Sequence, residues 1–302
     1  MSSSKRSVNT RDEAVETRLL VEHGFSLARK LGIKRVLVFA SLISDRRLVE
    51  KRRDAESLIW VTTSASRSLK ELRPEDQEVQ VPDHLSGGAD LVTFALITAA
   101  LRGVVDPGET VLCLAGAAGS RHLDNLLIVN PQRDFPWFRR SSGKIAIQLS
   151  NPQTFIRLMD IALRFGAEGR EGKSIGSIFL LCDPSDAEPY SRSLILNPCK
   201  GHPKKVRSVF DEGFVETMRE LAALDGAFVI DHKGVVERAG VYLDAPATGN
   251  VKVGKGLGAR HMAAACMSGV IDCTAVVVSE SSGTVTVFFA GREALSLKAA
   301  AV

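Results

Sequence analysis

The chain lacks a long apolar run, a signal-like N-terminus and a strong charge of either sign. No apolar stretch approaches the roughly 20 residues that span a bilayer, and residues 1–18 are too polar for a secretory signal. A net charge of +4 over 302 residues is too small to indicate a protein that coats nucleic acid. These absences predict a cytoplasmic protein with neither a membrane nor a nucleic acid as partner.

Cysteine is scarce and scattered, with five residues and no Cys-x-x-Cys pair. This pattern indicates neither a disulfide framework nor a structural zinc site. Cys113 and Cys182 lie in apolar, strand-like runs, so we expect them to be buried as small hydrophobic residues.

What is present is an ordinary globular composition, 45% hydrophobic and 25% charged, in a chain long enough for two domains. Residues 130–143 form a polar break with two prolines, which places a domain boundary near residue 140. We therefore predict a disordered tail over residues 1–11 and domains over residues 12–140 and 141–302.

The first domain alternates short apolar strands with helices. The pattern predicts helices over 12–31 and 90–101 and strands over 35–40, 58–62, 110–114 and 126–129. Such alternation is typical of a three-layer parallel α/β domain.

The second domain predicts a mixed sheet flanked by helices. Helices are expected over 152–165, 211–224 and 261–268, and strands over 175–181, 227–230, 235–242, 275–278 and 284–289. Gly166 is expected to end the first helix, and residues 231–234 and 281–283 are expected to form hairpins.

An acidic residue and a glycine precede one of these strands. Asp225 would lie at the edge of the sheet, where a carboxylate can coordinate a hard cation such as Mg²⁺ or Mn²⁺. Gly226 has no side chain, so a ligand can approach the backbone. The same Asp-Gly pair is also the sequence of an ordinary turn.

A glycine-rich loop precedes the last helix. Gly254, Gly256 and Gly258 lead into Arg260 and His261. The amides of a helix N-terminus bind phosphate, and an arginine adds a charged fork suited to phosphate oxygens. His261 could donate to a phosphate or to a leaving group. The alternative is that Arg260 is a surface cation and His261 a helix cap.

Residues 224–230 and 256–264 resemble the Asp-Gly-Ala and Arg-His-Arg motifs of the diadenylate cyclase domain. Other segments resemble the same family in the same order, across roughly residues 145–290: residues 165–176, 197–198, 239–243 and 277–284. The resemblance implies an α/β fold in which residues 141–302 form the cyclase domain. It also implies an enzyme that joins two ATP molecules into cyclic di-AMP and releases two pyrophosphates between two facing protomers.

The resemblance also implies roles for individual residues. Asp225 would bind the Mg²⁺ or Mn²⁺ that activates the 3′-hydroxyl, and Glu280 would support the metal side. The nucleotide-binding residues would be Gly226 and Ala227 at the nucleotide, Tyr242 and Leu243 at the base, and Gly256, Gly258, Arg260, His261 and Ser279 around the triphosphate. Asp225, Arg260 and His261 would form the catalytic set.

Three positions depart from the pattern of the family. Met262 stands where a second arginine is usual, Ala259 where threonine is common, and Ser281 where a second glutamate is usual. Arg292 and Lys255 are candidates to compensate for the lost phosphate contacts. The departures keep open an alternative function, a nucleotide-binding sensor of ATP or cyclic di-AMP.

Residues 12–135 resemble the C-terminal domain of pyruvate kinase. The segments that carry this resemblance are residues 33–39, 58–62 and 110–120. It implies a regulatory or assembly domain, in which Gly116, Gly119, Ser120 and Arg121 could hold a phosphorylated effector. A tight loop without a ligand, or a domain that serves oligomerisation alone, are the alternatives.

Overall fold

The computed structural model describes residues 10–63, 69, 72–85, 87–106, 108–117, 119–135, 151–169, 174–249, 251–252, 254 and 256–300. The chain divides into two compact units, Met1–Phe135 and Pro136–Val302. The boundary predicted near residue 140 lies outside the described residues, as do residues 1–9 of the predicted tail. Residues 10 and 11, also assigned to that tail, are helical.

The first unit is a five-stranded sheet with helices packed on it. Its elements are α1 (Thr10–Leu31), β1 (Arg35–Phe39), α2 (Arg47–Glu50), β2 (Ser57–Thr63), β3 (Gln77–Val81), α3 (Ala89–Leu101), β4 (Val111–Ala115), β5 (Asn125–Val129) and α4 (Pro131–Asp134). The strand order is β3-β2-β1-β4-β5, and β5 runs antiparallel to β4. The prediction of an all-parallel sheet is wrong at this edge, because the loop 116–124 is too short for a parallel crossover.

Apolar side chains cover both faces of this sheet. On one face, Phe25 of α1 packs with Val36 of β1 and Leu112 of β4. Strand side chains alternate between the two faces, and the neighbouring Leu37 and Cys113 are fully buried as well. Both faces are therefore covered, as a three-layer arrangement requires.

The second unit is built on a seven-stranded mixed sheet. Its elements are α5 (Pro152–Ala167), β6 (Ser177–Cys182), α6 (Pro184–Ala187), β7 (Ser191–Ser193), α7 (Glu212–Ala222), β8 (Ala227–Ile230), β9 (Val236–Leu243), α8 (Ala259–Val270), β10 (Cys273–Val278), β11 (Thr284–Phe289) and β12 (Arg292–Lys298). The strand order is β12-β11-β10-β6-β8-β9-β7. Among the described strands of this sheet, β6 and β8 are the one parallel pair of neighbours. Both predicted hairpins are confirmed, by the antiparallel pairs β8–β9 and β10–β11.

Helices lie on opposite faces of this second sheet. Phe165 of α5 packs edge-on against Phe179 of β6, with ring centroids 5.8 Å apart. The next residue along β6, Leu180, points to the other face and shares a core cluster with Ala264 and Met267 of α8. The sheet is thus enclosed between α5 and α8.

The expectation that Gly166 ends the α5 helix is wrong. The helix continues to Ala167, and a Cβ at residue 166 would collide with the carbonyl oxygen of Gly283. Glycine at this position permits close packing of the helix against the turn that connects β10 and β11. It does not mark a helix end.

All five cysteines are free and buried. Burial raises the pKa of Cys182 to about 12, so that thiol stays protonated at neutral pH. The expectation that Cys113 and Cys182 are buried is confirmed. Within the described residues, no helix combines the length and the apolarity needed to cross a bilayer.

Candidate active site

Three distant segments of the second unit meet at one edge of its sheet. Because β8 is parallel to β6 and β10 is antiparallel to it, the starts of β6 and β8 lie beside the end of β10. Asp225 precedes β8 and Glu280 follows β10. This topology brings the two carboxylates to the same edge.

Gly226 shapes the backbone that presents Asp225. Its φ is 128°, and a Cβ there would lie 2.8 Å from the carbonyl carbon of Gly240 and 2.8 Å from the amide nitrogen of Val241 in β9. The chain can therefore approach β9 closely only without a side chain at this position. The Asp225 side chain is left 80% exposed, and its Oδ1 accepts a hydrogen bond from the amide of Gly226.

The N-terminus of α8 faces the same region. Gly258 is its N-cap residue, and no side chain among the described residues caps the helix. The first turn contains no acidic residue, so the amides and the positive end of the helix dipole are free of a local anion. His261 lies inside the helix and is not its cap, so the alternative interpretation of His261 as a helix cap is wrong.

Arg260 links the two carboxylates. Its Nη1 donates to Oε2 of Glu280 at 2.8 Å, and its Nη2 donates to Oδ1 of Asp225 at 3.4 Å. The side chain is one-third exposed. Arg260 is therefore part of a charged cluster and is not an isolated surface cation.

His261 is 6% exposed and packs edge-on against Phe288. Burial, and then the neighbouring Arg260, lower its pKa. The imidazole is therefore neutral at pH 7. Its Nε2 is buried and has no hydrogen-bond partner among the described residues.

These groups surround an open cleft of about 1040 Å³. It is lined by Ser174, Asp225, Gly256, Leu257, Gly258, Ala259, Arg260, His261, Val278, Ser279, Glu280, Ser281 and Ser282. A cleft with helix amides and an arginine at one side and carboxylates at another suits a polyphosphate with a bound cation.

A smaller cavity of about 140 Å³ adjoins the cleft and shares Asp225, Ala259 and Arg260 with it. Its other lining residues are mostly apolar: Ile178, Leu194, Gly226, Ala227, Val241, Tyr242, Leu243 and Ala263. Tyr242 is 43% exposed, and the Arg192 guanidinium lies over its ring, 4.5 Å from the centroid. An apolar wall with an exposed aromatic ring suits a flat, apolar group.

Comparison with known proteins identifies the family. The family model "DisA bacterial checkpoint controller nucleotide-binding" matches residues 164–293. A diadenylate cyclase of Methanocaldococcus jannaschii is 28% identical over 294 residues, covering 90% of this chain and 94% of that protein. A diadenylate cyclase of Haloferax volcanii is 31% identical over 222 residues, covering 72% of this chain and 79% of that protein. This chain belongs to the diadenylate cyclase family. It is accordingly an enzyme, a nucleotidyltransferase.

Three solved structures resemble parts of the chain, each at a low TM-score. A Bacillus cereus protein described as a hypothetical membrane spanning protein scores 0.35 at 18% identity, over 50% of this chain and 64% of that chain. DacA from Staphylococcus aureus scores 0.34 at 22% identity, over 47% and 87%. A pyruvate kinase from Cryptosporidium parvum scores 0.28 at 12%, over 38% and 22%. Scores this low identify no shared fold, so the likeness of residues 12–135 to pyruvate kinase stays a prediction.

The structure brings all the predicted site residues of the cyclase together. The cleft contains Asp225, Gly256, Gly258, Arg260, His261, Ser279 and Glu280, and the smaller cavity contains Gly226, Ala227, Tyr242 and Leu243. Ser174 and Leu194 also line these cavities and were not predicted. Ser174 lies within the segment of resemblance over residues 165–176 but was given no role there, and no motif marks Leu194.

The departures from the motifs of the family fall in two groups. Ala259 and Ser281 line the cleft, so a hydroxyl and a carboxylate are missing from its wall. Met262 is exposed and is not among the described lining residues of either cavity. Arg292 begins β12 and is also absent from both linings, and Lys255 lies outside the described residues.

The acidic residues of the cleft fit a shared divalent ion. Among the described residues, no group of three His, Cys, Asp or Glu side chains is arranged to hold a metal. The cleft provides Asp225 and Glu280 as carboxylates, and Mg²⁺ is commonly held by one or two carboxylates together with substrate phosphates. Oδ2 of Asp225 accepts no hydrogen bond within the described part of the chain and is open to a ligand.

Proposed function

We propose that this cyclase condenses two ATP molecules into cyclic di-AMP and releases two pyrophosphates. The observation that carries the proposal is the cluster of Asp225, Arg260 and Glu280 beside the uncapped N-terminus of α8. It combines an anion-binding helix end, a guanidinium and two carboxylates in one cleft. The names of the two relatives support the same reaction.

The large cleft would bind the triphosphate. Gly256 and Gly258 leave the loop before α8 without side chains, so phosphate oxygens can reach backbone amides. Arg260 would add charged hydrogen bonds, and Ser279 a hydroxyl. His261, which is neutral and whose Nε2 has no partner among the described residues, would donate to a phosphate oxygen.

The smaller cavity would bind the base. Ala227 and Leu243 form its buried apolar floor, and Tyr242 provides an exposed ring against which a purine can lie. Gly226 permits close approach to the backbone. We propose that the base is adenine and not guanine, and this choice rests on membership of the family alone.

A divalent ion, Mg²⁺ or Mn²⁺, would be held by Asp225 with Glu280 nearby, and would supply charge neutralisation and activation of a hydroxyl. Each 3′-hydroxyl oxygen forms a bond to the α-phosphorus of the other ATP while the bond to pyrophosphate breaks. The hydroxyl proton leaves to solvent or a nearby base. Arg260 and the α8 amides would stabilise the charge that develops on the phosphate oxygens.

We propose that two protomers face each other, because each cleft holds one nucleotide and the reaction joins two. The exposure of Asp225 at the mouth of the cleft supports this arrangement. An isolated protomer would bind ATP without converting it. Activity per protomer should therefore fall when the protein is diluted below the dissociation constant of the dimer.

The alternative function is a sensor that binds ATP or cyclic di-AMP without cyclising it. The observation that favours it is the loss of a hydroxyl and a carboxylate from the cleft wall at Ala259 and Ser281. The groups proposed to do the chemistry, Asp225, Arg260 and His261, are nevertheless in place. We therefore favour the active enzyme.

We propose that residues 12–140 form a regulatory or assembly domain. A cavity of about 200 Å³ lies beyond the carboxyl ends of β1, β2 and β4, where the strand order reverses and ligands of α/β sheets commonly bind. Its described lining offers the hydroxyls of Ser41, Thr63 and Ser120 but no cation. Because no cation lines this cavity to pair with a phosphate, we propose no phosphorylated effector for it.

The test is to incubate the purified chain with ATP and Mg²⁺ or Mn²⁺ and to measure cyclic di-AMP by mass spectrometry. We expect product from the wild type and none from Asp225→Asn, with ATP binding largely retained. Asp272→Asn is a matched control, because Asp272 is an exposed aspartate that also precedes a strand. ATP binding without product in the wild type would favour the sensor.

A further inference from the structure

The backbone at Gly176, just before β6, forms the wall against which Arg260 lies. A Cβ at residue 176 would collide with Nη1 of Arg260 and would lie 3.0 Å from its Cζ. It would also lie 2.9 Å from Cβ of Glu280, the residue that accepts the hydrogen bond from Nη1. The guanidinium thus occupies space that exists only because residue 176 has no side chain.

The backbone conformation does not itself require glycine here. Gly176 is not among the glycines with a positive φ, whereas Gly226 at the same sheet edge is. An L-residue can adopt the backbone of residue 176 without strain. The requirement at this position is therefore for space.

We infer that Gly176 is a positioning residue that sets the location of the Arg260 guanidinium in the cleft, an inference that rests on the proposed function. With glycine, the guanidinium lies in a slot between the start of β6 and Glu280, and still reaches Asp225. The slot and the two carboxylates restrict Arg260 to one place beside the amides of α8. A preorganised arginine loses less freedom when it binds phosphate.

Alanine at residue 176 would close the slot. The nearest atom it meets, Nη1 of Arg260, is at the far end of a flexible side chain, so the guanidinium can swing away. Cβ of Glu280, at 2.9 Å, is fixed to the backbone, so the segment after β10 must also shift slightly. Arg260 would then lose the position in which it contacts Glu280, and its contact with the triphosphate would be lost with it. Arg260 lines only part of the smaller cavity, whose other walls come from β6, β8 and β9, so most contacts to the nucleoside would remain.

The experiment measures ATP and adenosine affinity by calorimetry for the wild type, Gly176→Ala, Arg260→Ala and the double variant. We expect Gly176→Ala to weaken ATP binding about 10- to 100-fold, the range of a lost charge-assisted hydrogen bond. Adenosine has no phosphate, and its affinity should change by less than about twofold. In the Arg260→Ala background, Gly176→Ala should have no further effect on ATP, because the residue it acts through is gone.

Gly249→Ala is the matched control, since a Cβ at residue 249 meets nothing within 4 Å and its φ is not positive. Several results would overturn the inference. These are equal losses for ATP and adenosine, an undiminished effect of Gly176→Ala in the Arg260→Ala background, or no effect of Arg260→Ala on ATP affinity. A drop in melting temperature from Gly176→Ala is expected in both backgrounds, because the contact with Cβ of Glu280 does not involve Arg260; the coupling in ATP affinity is the deciding result.

These outcomes are separate from the fate of the proposed reaction. If the wild type binds ATP and makes no cyclic di-AMP, the cyclase proposal fails while the affinity cycle still tests the role of Gly176. If product forms and the cycle shows no coupling between residues 176 and 260, the inference fails and the reaction stands.

Discussion

Replacing Gly226 with alanine should strongly destabilise the second unit. Two costs combine at this residue. The φ of 128° is a conformation that L-residues rarely adopt, which costs about 1–3 kcal/mol. The new Cβ would also meet two backbone atoms of β9 at 2.8 Å, and overpacking of this kind costs about 1–3 kcal/mol. We expect a total loss of about 2–6 kcal/mol.

Two other glycines separate these costs. Gly256 has a φ of 90° but open space around its Cβ position, so alanine there carries only the conformational cost. Gly249 has open space and no positive φ, so alanine there should change the free energy of unfolding by less than about 0.5 kcal/mol. The expected order of destabilisation is Gly226, then Gly256, then Gly249.

Calorimetric melting of the full chain measures the effect, and hydrogen exchange of peptides covering β8 and β9 locates it. For a domain of this size, each kcal/mol shifts the melting temperature by roughly 2–4 °C. If Gly226→Ala melted at the same temperature as Gly256→Ala or higher, the proposed cost of crowding the β9 backbone would be refuted. If all three variants behaved alike, the backbone argument as a whole would fail.

Two further predictions concern the ligand pocket and the buried histidine. Tyr242→Ala should weaken ATP and adenosine by the same factor, about 5- to 100-fold if a base lies on the ring. Tyr242→Phe should bind both as the wild type does, and calorimetry that showed a loss for ATP alone would contradict the base pocket. The lowered pKa of His261 means that below about pH 6.5 the unfolded chain takes up a proton that the folded chain resists. The free energy of unfolding should therefore fall as the pH drops below that value. Urea unfolding at several pH values should show a weaker pH dependence for His261→Gln than for the wild type. An equal pH dependence in both proteins would show that His261 is not responsible.

The interior strands and the long helices could be predicted from the sequence, because their apolar patterns are strong. The structure confirms strands at Ala227–Ile230 and Thr284–Phe289 with the predicted bounds. Three strands were missed: β3, β7 and β12. All three lie at the edges of their sheets and are polar or very short, so burial leaves little pattern in their residues.

The positions of the site residues could be predicted where a short motif contains them, as with Asp225-Gly226 and Arg260-His261. Gly176 was noted only as part of a longer segment of resemblance. Its function depends on a contact with Arg260, far along the chain, which no local pattern reveals. Gly166 shows the opposite error, because a glycine that looked like a helix end is there for close packing against Gly283.

The meeting of three strand ends at one edge means that no contiguous peptide of this chain contains the site. Gly176, Asp225, Arg260 and Glu280 belong to four separate stretches that converge only when β6 lies between β8 and β10. A bound nucleotide would therefore contact the ends of β6, β8 and β10 at once and stabilise their pairing in the middle of the sheet. At a ligand concentration 100 times the dissociation constant, this linkage stabilises the folded state by about 2.7 kcal/mol. The nucleotide supply would thus influence both the turnover of the enzyme and the lifetime of its folded second unit.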